Sequence, residues 1–124
     1  MTIKSSKLLV EEALKEIKTL EPFEAKKLAD ENLCNLIDIR DIRELEKEGK
    51  VEKANHIPRG MLEFWLDTES PYFKESKLDM SKEMVLFCAG GMRSALAAKT
   101  LKDMGFIKVS HIHGGFALMK QNGF

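Results

Sequence analysis

Hydrophobic positions follow two different periods along this chain. In residues 6–18 and 93–104, apolar side chains recur three or four positions apart, and this spacing predicts amphipathic helices. Residues 33–39 are largely apolar and predict a strand. Residues 84–87 are a continuous apolar run, as is typical of strands that are covered on both faces of a parallel sheet. Residues 109–113 predict a last short strand. Helical and extended segments therefore alternate along the chain.

Weaker sequence patterns predict the secondary-structure elements between these segments. Asp41 and Glu44 resemble a capping box that begins a short helix, and Gly49 lies just past its end. The other predicted elements are an edge strand at 19–22, a helix at 23–31, a loop or short strand at 53–60, a helical turn at 61–66, a loop at 68–81 and a closing helix at 116–121. The alternation predicts an α/β domain with a mostly parallel sheet, in which ligands bind at the carboxyl ends of strands.

Composition is that of one globular domain without a nucleic-acid or membrane partner. The chain has 124 residues, and its 20 basic residues balance its 20 acidic residues, which argues against a general nucleic-acid binder and a polybasic membrane-surface protein. No apolar stretch approaches the roughly 20 residues of a transmembrane helix, and residues 1–7 lack the apolar run of a secretory signal. We therefore expect a cytoplasmic protein.

The zero net charge conceals an uneven distribution. Residues 88–124 contain five basic residues and one acidic residue, a net charge of +4, whereas residues 1–87 contain 15 basic and 19 acidic residues. We expect the basic carboxyl-terminal segment to attract small anions.

One turn combines the features of a nucleophilic site. It follows the strand at 84–87 and reads Cys-Ala-Gly-Gly-Met-Arg-Ser from Cys88 to Ser94. The paired glycines let the backbone turn tightly, and the helix that begins after them directs free N–H groups and its positive dipole end into the turn. Arg93 adds a full positive charge. Because these features stabilise a thiolate, Cys88 is predicted to be a nucleophile that needs no separate general base.

Four groups of short segments occur in order along the chain. They are Leu36-Ile37-Asp38-Ile39-Arg40 followed by Glu44, His56-Ile57-Pro58, Val85-Leu86-Phe87-Cys88 leading to Arg93-Ser94, and Gly105-Phe106, Val109 and Gly114-Gly115. In this order they resemble the signatures of the rhodanese-like family of sulfurtransferases, and the resemblance covers about residues 18–124. It implies a rhodanese-like domain there, with a central, mostly parallel sheet of about five strands and helices on both faces. Residues 1–17 lie outside it and are expected to be an amino-terminal helical extension.

The resemblance implies a thiosulfate sulfurtransferase-like enzyme without a cofactor. Cys88 would attack the sulfane sulfur of a small anionic donor such as thiosulfate and form a persulfide. The outer sulfur of this persulfide would then pass to cyanide or a thiol. Arg93 would hold the anionic donor or its leaving group. The loop residues that would bind the persulfide are Ala89, Gly90, Gly91, Met92 and Ser94. Since sulfur is carried covalently between two half-reactions, we expect ping-pong kinetics.

Two other functions remain open from the sequence. A rhodanese-like module could relay sulfur to a partner protein's thiol, because Met119 stands where the family often has tryptophan and an aromatic segment lies at 64–73. A phosphatase or arsenate reductase on the same fold is suggested only by the pair Cys88 and Arg93. The related cell-cycle phosphatases have a loop one residue longer, so the six residues from Cys88 to Arg93 favour sulfur transfer.

The chain departs from the family near its histidine motif. Asn55 and Arg59 stand where the family often has glycine. We interpret Arg59 as a second anion contact at the mouth of the site, and His56 as a packing and hydrogen-bonding residue.

Other polar residues have structural interpretations that are at least as good as functional ones. Asp38 and Arg40 suit an ion-pair brace at a strand end. His111 and His113 alternate on a strand, but no third ligand is suggested, so no metal site is predicted.

The remaining cysteine and the aromatic residues are expected to be structural. Without a CxxC motif, Cys34 and Cys88 are expected to be free thiols, and Cys34 to be an inert buried residue rather than a resolving thiol. The aromatic residues at 64–65 and 72–73 are interpreted as a core plug in preference to a partner surface.

Overall fold

A parallel sheet forms the centre of the protein. The computed structural model describes residues 2–73 and 78–124. In this part of the chain the sheet has five strands in the order β1-β5-β4-β2-β3, and all neighbouring strands are parallel. The strands are β1 Lys18–Leu20, β2 Cys34–Asp38, β3 Asn55–His56, β4 Glu83–Phe87 and β5 Val109–Ile112. The predicted α/β class and parallel sheet are therefore confirmed.

Helices connect these strands. They are α1 Ser6–Glu16, α2 Pro22–Asp30, α3 Ile42–Glu48, α4 Leu62–Leu66 after a 3-10 turn at Arg59–Met61, α5 Met92–Met104 and α6 Gly115–Gln121. The predicted capping box of α3 is present, and α2 begins one residue earlier than predicted because Glu21 and Glu24 form a second capping box. Residues 74–77 of the loop predicted at 68–81 lie outside the described residues. No helix of the described segments is long and apolar enough to span a membrane.

The two faces of the sheet have separate cores because successive strand residues point in opposite directions. On β4, Met84 and Leu86 belong to a buried cluster with Leu101 of α5. Val85 and Phe87 belong to a second buried cluster with side chains of α2 and α6. Helices therefore cover both faces, as predicted, and the residue after Phe87 reaches the carboxyl edge of a sheet buried on both sides.

The amino-terminal helix α1 packs against α5. Ala13 is 1% exposed, and Ile17 packs against the cluster that contains Leu101. At the carboxyl end of α1, Lys99 pairs with Glu16 at 3.4 Å and Lys102 donates to the Glu16 carbonyl. Two lysines of the basic carboxyl-terminal segment are therefore directed toward α1.

Candidate active site

Cys88 directly follows β4, and backbone donors enclose its sulfur. The residue is 1% exposed. The N–H of Gly91 donates to Cys88 Sγ at 3.1 Å, and the N–H of Ser94 donates to it at 3.3 Å. Ser94 lies in the first turn of α5, where N–H groups have no acceptor within the helix. Two N–H donors and the positive end of a helix dipole together favour negative charge on this sulfur.

The loop carbonyl groups are bound from the other side by α6. The Phe116 N–H donates to the Cys88 carbonyl at 2.8 Å, and the Ala117 N–H donates to the Ala89 carbonyl at 3.3 Å. Gly115 permits this approach, because it has a φ of +58° and a Cβ there would lie 2.4 Å from the Cys88 carbonyl oxygen. Helix α6 therefore binds these carbonyl oxygens, while N–H groups face the sulfur.

The predicted loop residues lie together between β4 and α5. Gly91 adopts a φ of +108°, a left-handed conformation that favours glycine and brings its N–H to the sulfur. Gly90 and Met92 are exposed, so the outer side of the loop faces solvent. Of the predicted substrate-binding residues, Gly91 and Ser94 contact the sulfur of Cys88 directly.

Arg93 is held beside the loop by Glu44 of α3. Its Nη1 and Nη2 atoms donate to the two Glu44 carboxylate oxygens at 2.8 and 2.9 Å. The Arg93 hydrogen bonds lower the pKa of Glu44 to about 2, and Glu44 raises the pKa of Arg93. The Arg93 side chain is 43% exposed, so part of the guanidinium faces solvent. The capping-box pattern revealed Glu44 as a helix residue, but not as the partner of Arg93.

Arg59 does not fit the predicted role of a second anion contact. It donates to Glu63 at 2.7 Å and to the Thr100 hydroxyl at 3.3 Å. Thr100 lies eight residues after Met92, roughly 12 Å along α5 at 1.5 Å per residue. Arg59 therefore has an acidic partner and lies well along the helix from the loop.

A chain of polar groups extends from the buried sulfur to the edge of the sheet. The Ser94 hydroxyl lies 3.5 Å from Cys88 Sγ and 2.9 Å from His111 Nδ1. On the other side of the ring, His111 Nε2 lies 3.1 Å from the Thr19 hydroxyl of β1. His111 is 2% exposed, and burial lowers its pKa to about 4. The sequence contained no local signal for this contact, because Thr19, Ser94 and His111 lie on three separate elements.

An open cavity of about 840 Å³ adjoins the loop at Ala89. Its wall is formed by α3 and α6, with basic side chains that include Lys47 and Lys120 and acidic side chains that include Glu44. Lys120 lies over the Phe116 ring, with Nζ 5.0 Å from the ring centroid. The cavity is in the size range of small-molecule sites, and both signs of charge line it.

Asp38 and Arg40 form a buried brace beside this cavity, and Arg40 forms part of its lining. Arg40 Nη2 lies 2.8 Å from the Asp38 carboxylate, and both side chains are 1% exposed. His56 Nε2 lies 2.7 Å from the Arg40 carbonyl, and the Arg40 guanidinium lies 4.0 Å from the Phe116 ring centroid. The ion-pair brace and the hydrogen-bonding role predicted for His56 are both present.

Cys34 lies at the opposite end of the sheet from Cys88. It pairs in register with Glu83, the first residue of β4, whereas Cys88 follows the last residue of that strand. Both cysteines are free, and burial raises the pKa of the Cys34 thiol to about 11. Both features agree with an inert Cys34. Within residues 2–73 and 78–124, no cluster of His, Cys, Asp and Glu is arranged to hold a metal ion.

The aromatic segment is only partly a core plug. Trp65 packs against the core, and the flanking Leu62 and Leu66 are buried. Phe64 is 49% exposed and Tyr72 is 61% exposed, with their rings in an edge contact at 6.2 Å between centroids. The plug interpretation is therefore wrong for these two residues: Phe64 lies on the exposed side of the short helix α4, and Tyr72 lies in the exposed turn after it.

Comparisons with known proteins identify the family of this chain. The family model of the rhodanese-like domain matches residues 21–122. YtwF of Bacillus subtilis, a proposed sulfurtransferase, is 37% identical over 82% of this chain and 86% of its own length. The thiosulfate sulfurtransferase GlpE of Pseudomonas savastanoi is 31% identical over 85% of this chain and 89% of its own length.

Two further comparisons differ in coverage and description. YrkF of Bacillus subtilis, a proposed sulfur carrier protein, is 35% identical over 78% of this chain, which spans only 46% of the length of YrkF. A solved structure from Rhodopseudomonas palustris, a protein of unknown function described as a possible tyrosine phosphatase, is 43% identical. It superposes with a TM-score of 0.87 over 99% of this chain and 95% of that one, so the similarity includes α1.

Proposed function

Because the chain belongs to the rhodanese-like domain family, we propose that it is a sulfurtransferase that carries a sulfane sulfur as a persulfide on Cys88. The observation that carries the proposal is the pair of N–H donors, from Gly91 and Ser94, on a sulfur that is almost fully buried. The proposed donor is a small anion such as thiosulfate, and the proposed acceptor is cyanide or a thiol.

In the first half-reaction, the Cys88 thiolate attacks the outer sulfur of thiosulfate. A new S–S bond forms, the S–S bond of thiosulfate breaks, and sulfite leaves with the electron pair. The persulfide retains one negative charge, now on its outer sulfur. The amides of the outer loop, at Ala89, Gly90 and Met92, are proposed to bind that sulfur, since free N–H groups at a helix start are a ready anion site.

In the second half-reaction, cyanide or a thiolate attacks the outer sulfur of the persulfide. The S–S bond breaks and its electron pair returns to Cys88 as the thiolate. Thiocyanate, or a persulfide on the acceptor, is released. Each step uses only sulfur and the acceptor atom, so the proposal includes no cofactor.

Arg93 is proposed to hold the sulfonate end of the donor. Its ion pair with Glu44 orients the guanidinium, while its exposed part can still accept a second anionic partner. The cavity beside Ala89 provides the approach, and Lys120 adds a positive charge to its wall. Arg59 is not part of this proposal because its guanidinium contacts Thr100, roughly 12 Å along α5 from Met92 at 1.5 Å per residue.

The test is an intact-mass measurement after incubation with thiosulfate. We expect the wild type and a Cys34→Ala control to gain one sulfur, and Cys88→Ala to gain none. Addition of cyanide should remove that sulfur and release an equal amount of thiocyanate. An equal gain in Cys88→Ala, or no gain in the wild type with either thiosulfate or polysulfide, would refute the proposal.

A second candidate is sulfur relay to the thiol of a partner protein. It is supported by the cavity of about 840 Å³, which exceeds what thiosulfate or cyanide needs, and by Met92, 66% exposed on the loop. In that case the persulfide would form normally, but cyanide would be a slow acceptor and a protein thiol a fast one. A cytoplasmic location, where such thiols are reduced, remains a prediction.

Phosphatase activity is the competing chemistry to measure, given the description of the Rhodopseudomonas relative. The length of the loop argues against it, since the turn from Cys88 to Arg93 has six residues and the loop of the related cell-cycle phosphatases is one residue longer. Hydrolysis of a generic aryl phosphate or reduction of arsenate, lost in Cys88→Ala, would favour the alternative.

A further inference from the structure

We propose that Thr19, His111 and Ser94 form a hydrogen-bond relay that reverses direction when Cys88 ionises and releases the thiol proton at the edge strand β1. The relay rests on the proposed role of Cys88 as a nucleophile. It adds Thr19 and His111 to the site as positioning residues, which act on Cys88 through Ser94. Its geometry is a continuous series of contacts, at 3.5, 2.9 and 3.1 Å, from the buried sulfur to an exposed threonine.

The relay requires an imidazole with one donor and one acceptor nitrogen. A neutral histidine ring meets this requirement, whereas an imidazolium has two donors and no acceptor. Burial lowers the pKa of His111 to about 4, so the ring is neutral across the range in which a thiol titrates. Both ring nitrogens face hydroxyl groups, which can donate or accept, so either tautomer can be satisfied.

When Cys88 is a thiol, the hydrogen bonds point away from the sulfur. The S–H donates to Ser94 Oγ, the Ser94 hydroxyl donates to His111 Nδ1, and His111 Nε2–H donates to Thr19 Oγ1. When Cys88 is a thiolate, the order reverses: Thr19 donates to Nε2, Nδ1–H donates to Ser94, and Ser94 donates to the sulfur. Each of the three residues gains one proton and passes one on, and the net proton leaves from Thr19 to water.

The reversed order supplies the thiolate with a third hydrogen bond. The amides of Gly91 and Ser94 donate to the sulfur in both states, and an Nδ1–H of His111 that donates to the Ser94 oxygen leaves the Ser94 hydroxyl hydrogen available for the sulfur. The Gly91 carbonyl, at 3.3 Å, is the competing acceptor for that hydroxyl. A charged sulfur is the stronger acceptor, so ionisation of Cys88 draws the Ser94 hydroxyl toward itself.

Few other titratable groups surround His111 in the described part of the chain. His113, exposed just beyond the end of β5, also lowers the pKa of His111 by charge repulsion. Cys88 acts on the ring through Ser94, and the contacts from α5 and β1 are the hydroxyls of Ser94 and Thr19. His113→Gln is therefore a matched control, since it removes a neighbouring histidine without breaking the relay.

The first test measures the tautomer of His111 by the nitrogen chemical shifts of its ring, without any sulfur donor. As pH rises through the ionisation of Cys88, we expect the Nε2–H tautomer to give way to the Nδ1–H tautomer. In Cys88→Ala the tautomer should not change over the same range. A tautomer in the wild type that is independent of the state of Cys88 would overturn the relay.

The second test follows alkylation of Cys88 by iodoacetamide against pH. In His111→Asn, and in Thr19→Val, which changes only an exposed side chain, the alkylation midpoint should move upward by about one pH unit, with roughly tenfold slower reaction below it. His113→Gln should match the wild type. Wild-type profiles in both His111→Asn and Thr19→Val would overturn the relay.

The outcomes distinguish the relay from the proposed function. If the wild type gains sulfur from thiosulfate but its His111 tautomer does not respond to Cys88, the relay is wrong and the sulfurtransferase proposal stands. If the tautomer responds but no persulfide forms, the relay stands and the donor or activity is wrong.

Discussion

Glu44 binds Arg93 through two parallel hydrogen bonds while the same carboxylate closes the capping box of α3. Its Oε2 atom lies 2.8 Å from Arg93 Nη1 and 3.0 Å from the Asp41 amide nitrogen. The beginning of α3 and the first turn of α5 are thereby joined beside Cys88. One acidic residue thus helps to fix both a helix end and the candidate anion-binding arginine.

The Glu44→Gln variant separates these two roles, because glutamine still accepts from the Asp41 N–H but carries no charge. We expect kcat for sulfur transfer to fall roughly three- to tenfold as Arg93 loses its orientation. KM for thiosulfate should not rise, because the cavity loses a negative charge. The measurement is steady-state thiocyanate formation, with the exposed Glu46→Gln as control. An unchanged kcat with a raised KM would contradict this account.

Lys120 should contribute more to anion attraction than Lys99. Lys120 lines the cavity, whereas Lys99 pairs with Asp103 at 2.9 Å and with Glu16. Lys120→Gln should therefore raise KM for thiosulfate about twofold to fivefold at low salt, with the difference shrinking as salt screens the charge. Lys99→Gln is the matched control. Equal effects of the two variants would mean that overall charge, and not the cavity, guides the donor.

The buried His111 makes stability depend on pH. Its folded pKa of about 4 lies below the ordinary value of 6.5, so the unfolded chain binds the extra proton first. The stability that comes from keeping His111 neutral is fully present above pH 6.5 and is lost as pH falls toward 4. The free energy of unfolding should change by about 3 kcal/mol over this range. Urea unfolding of the wild type and His111→Gln at pH 7 and pH 4 measures it. A pH dependence identical in the two proteins would refute the assignment to His111.

Gly115→Ala should lower the free energy of unfolding and distort the loop that begins at Cys88. The new Cβ would lie 2.4 Å from the Cys88 carbonyl oxygen, at a residue whose φ is positive. We expect a loss of roughly 3 kcal/mol or more in unfolding free energy, with slower alkylation of Cys88 in whatever folded protein remains. Gly60→Ala is the control, because a Cβ at Gly60 has no atom within 4 Å. Comparable losses in both variants would remove the special role of Gly115.

Cys34 should not react with alkylating reagents in the native protein. Burial raises the pKa of its thiol to about 11. At pH 8, native protein should incorporate a single alkyl group, at Cys88, and unfolded protein should incorporate two. Peptide mapping after brief iodoacetamide treatment identifies the sites. Alkylation of both cysteines at similar rates in the native state would show that the amino end of β2 is open to reagents.

Local signals in the sequence predicted most of the architecture. The apolar run at 84–87 and the helical period that follows it predicted β4, α5 and the turn that presents Cys88. These signals are local because each lies within a few adjacent residues. A strand that is buried on both faces appears in the sequence as an unbroken apolar run. The free N–H groups of the turn belong to the first residues of the helix that follows it. The capping box at Asp41 and Glu44 was recognisable for the same reason, since its two hydrogen bonds span three residues.

The contacts around the sulfur depend on the tertiary structure. Glu44 and Arg93 are 49 positions apart, and Thr19 and His111 are 92 apart, so no local spacing could reveal either contact. Arg59 is a further example, since its position near the histidine motif suggested an anion contact, but the tertiary structure places its guanidinium at Thr100, 41 positions away. The sequence by itself determined which turn, at the carboxyl end of β4, presents Cys88. The packing of α3, α6 and β1 around that turn decided which side chains orient it, because side-chain partners are chosen by distance in space.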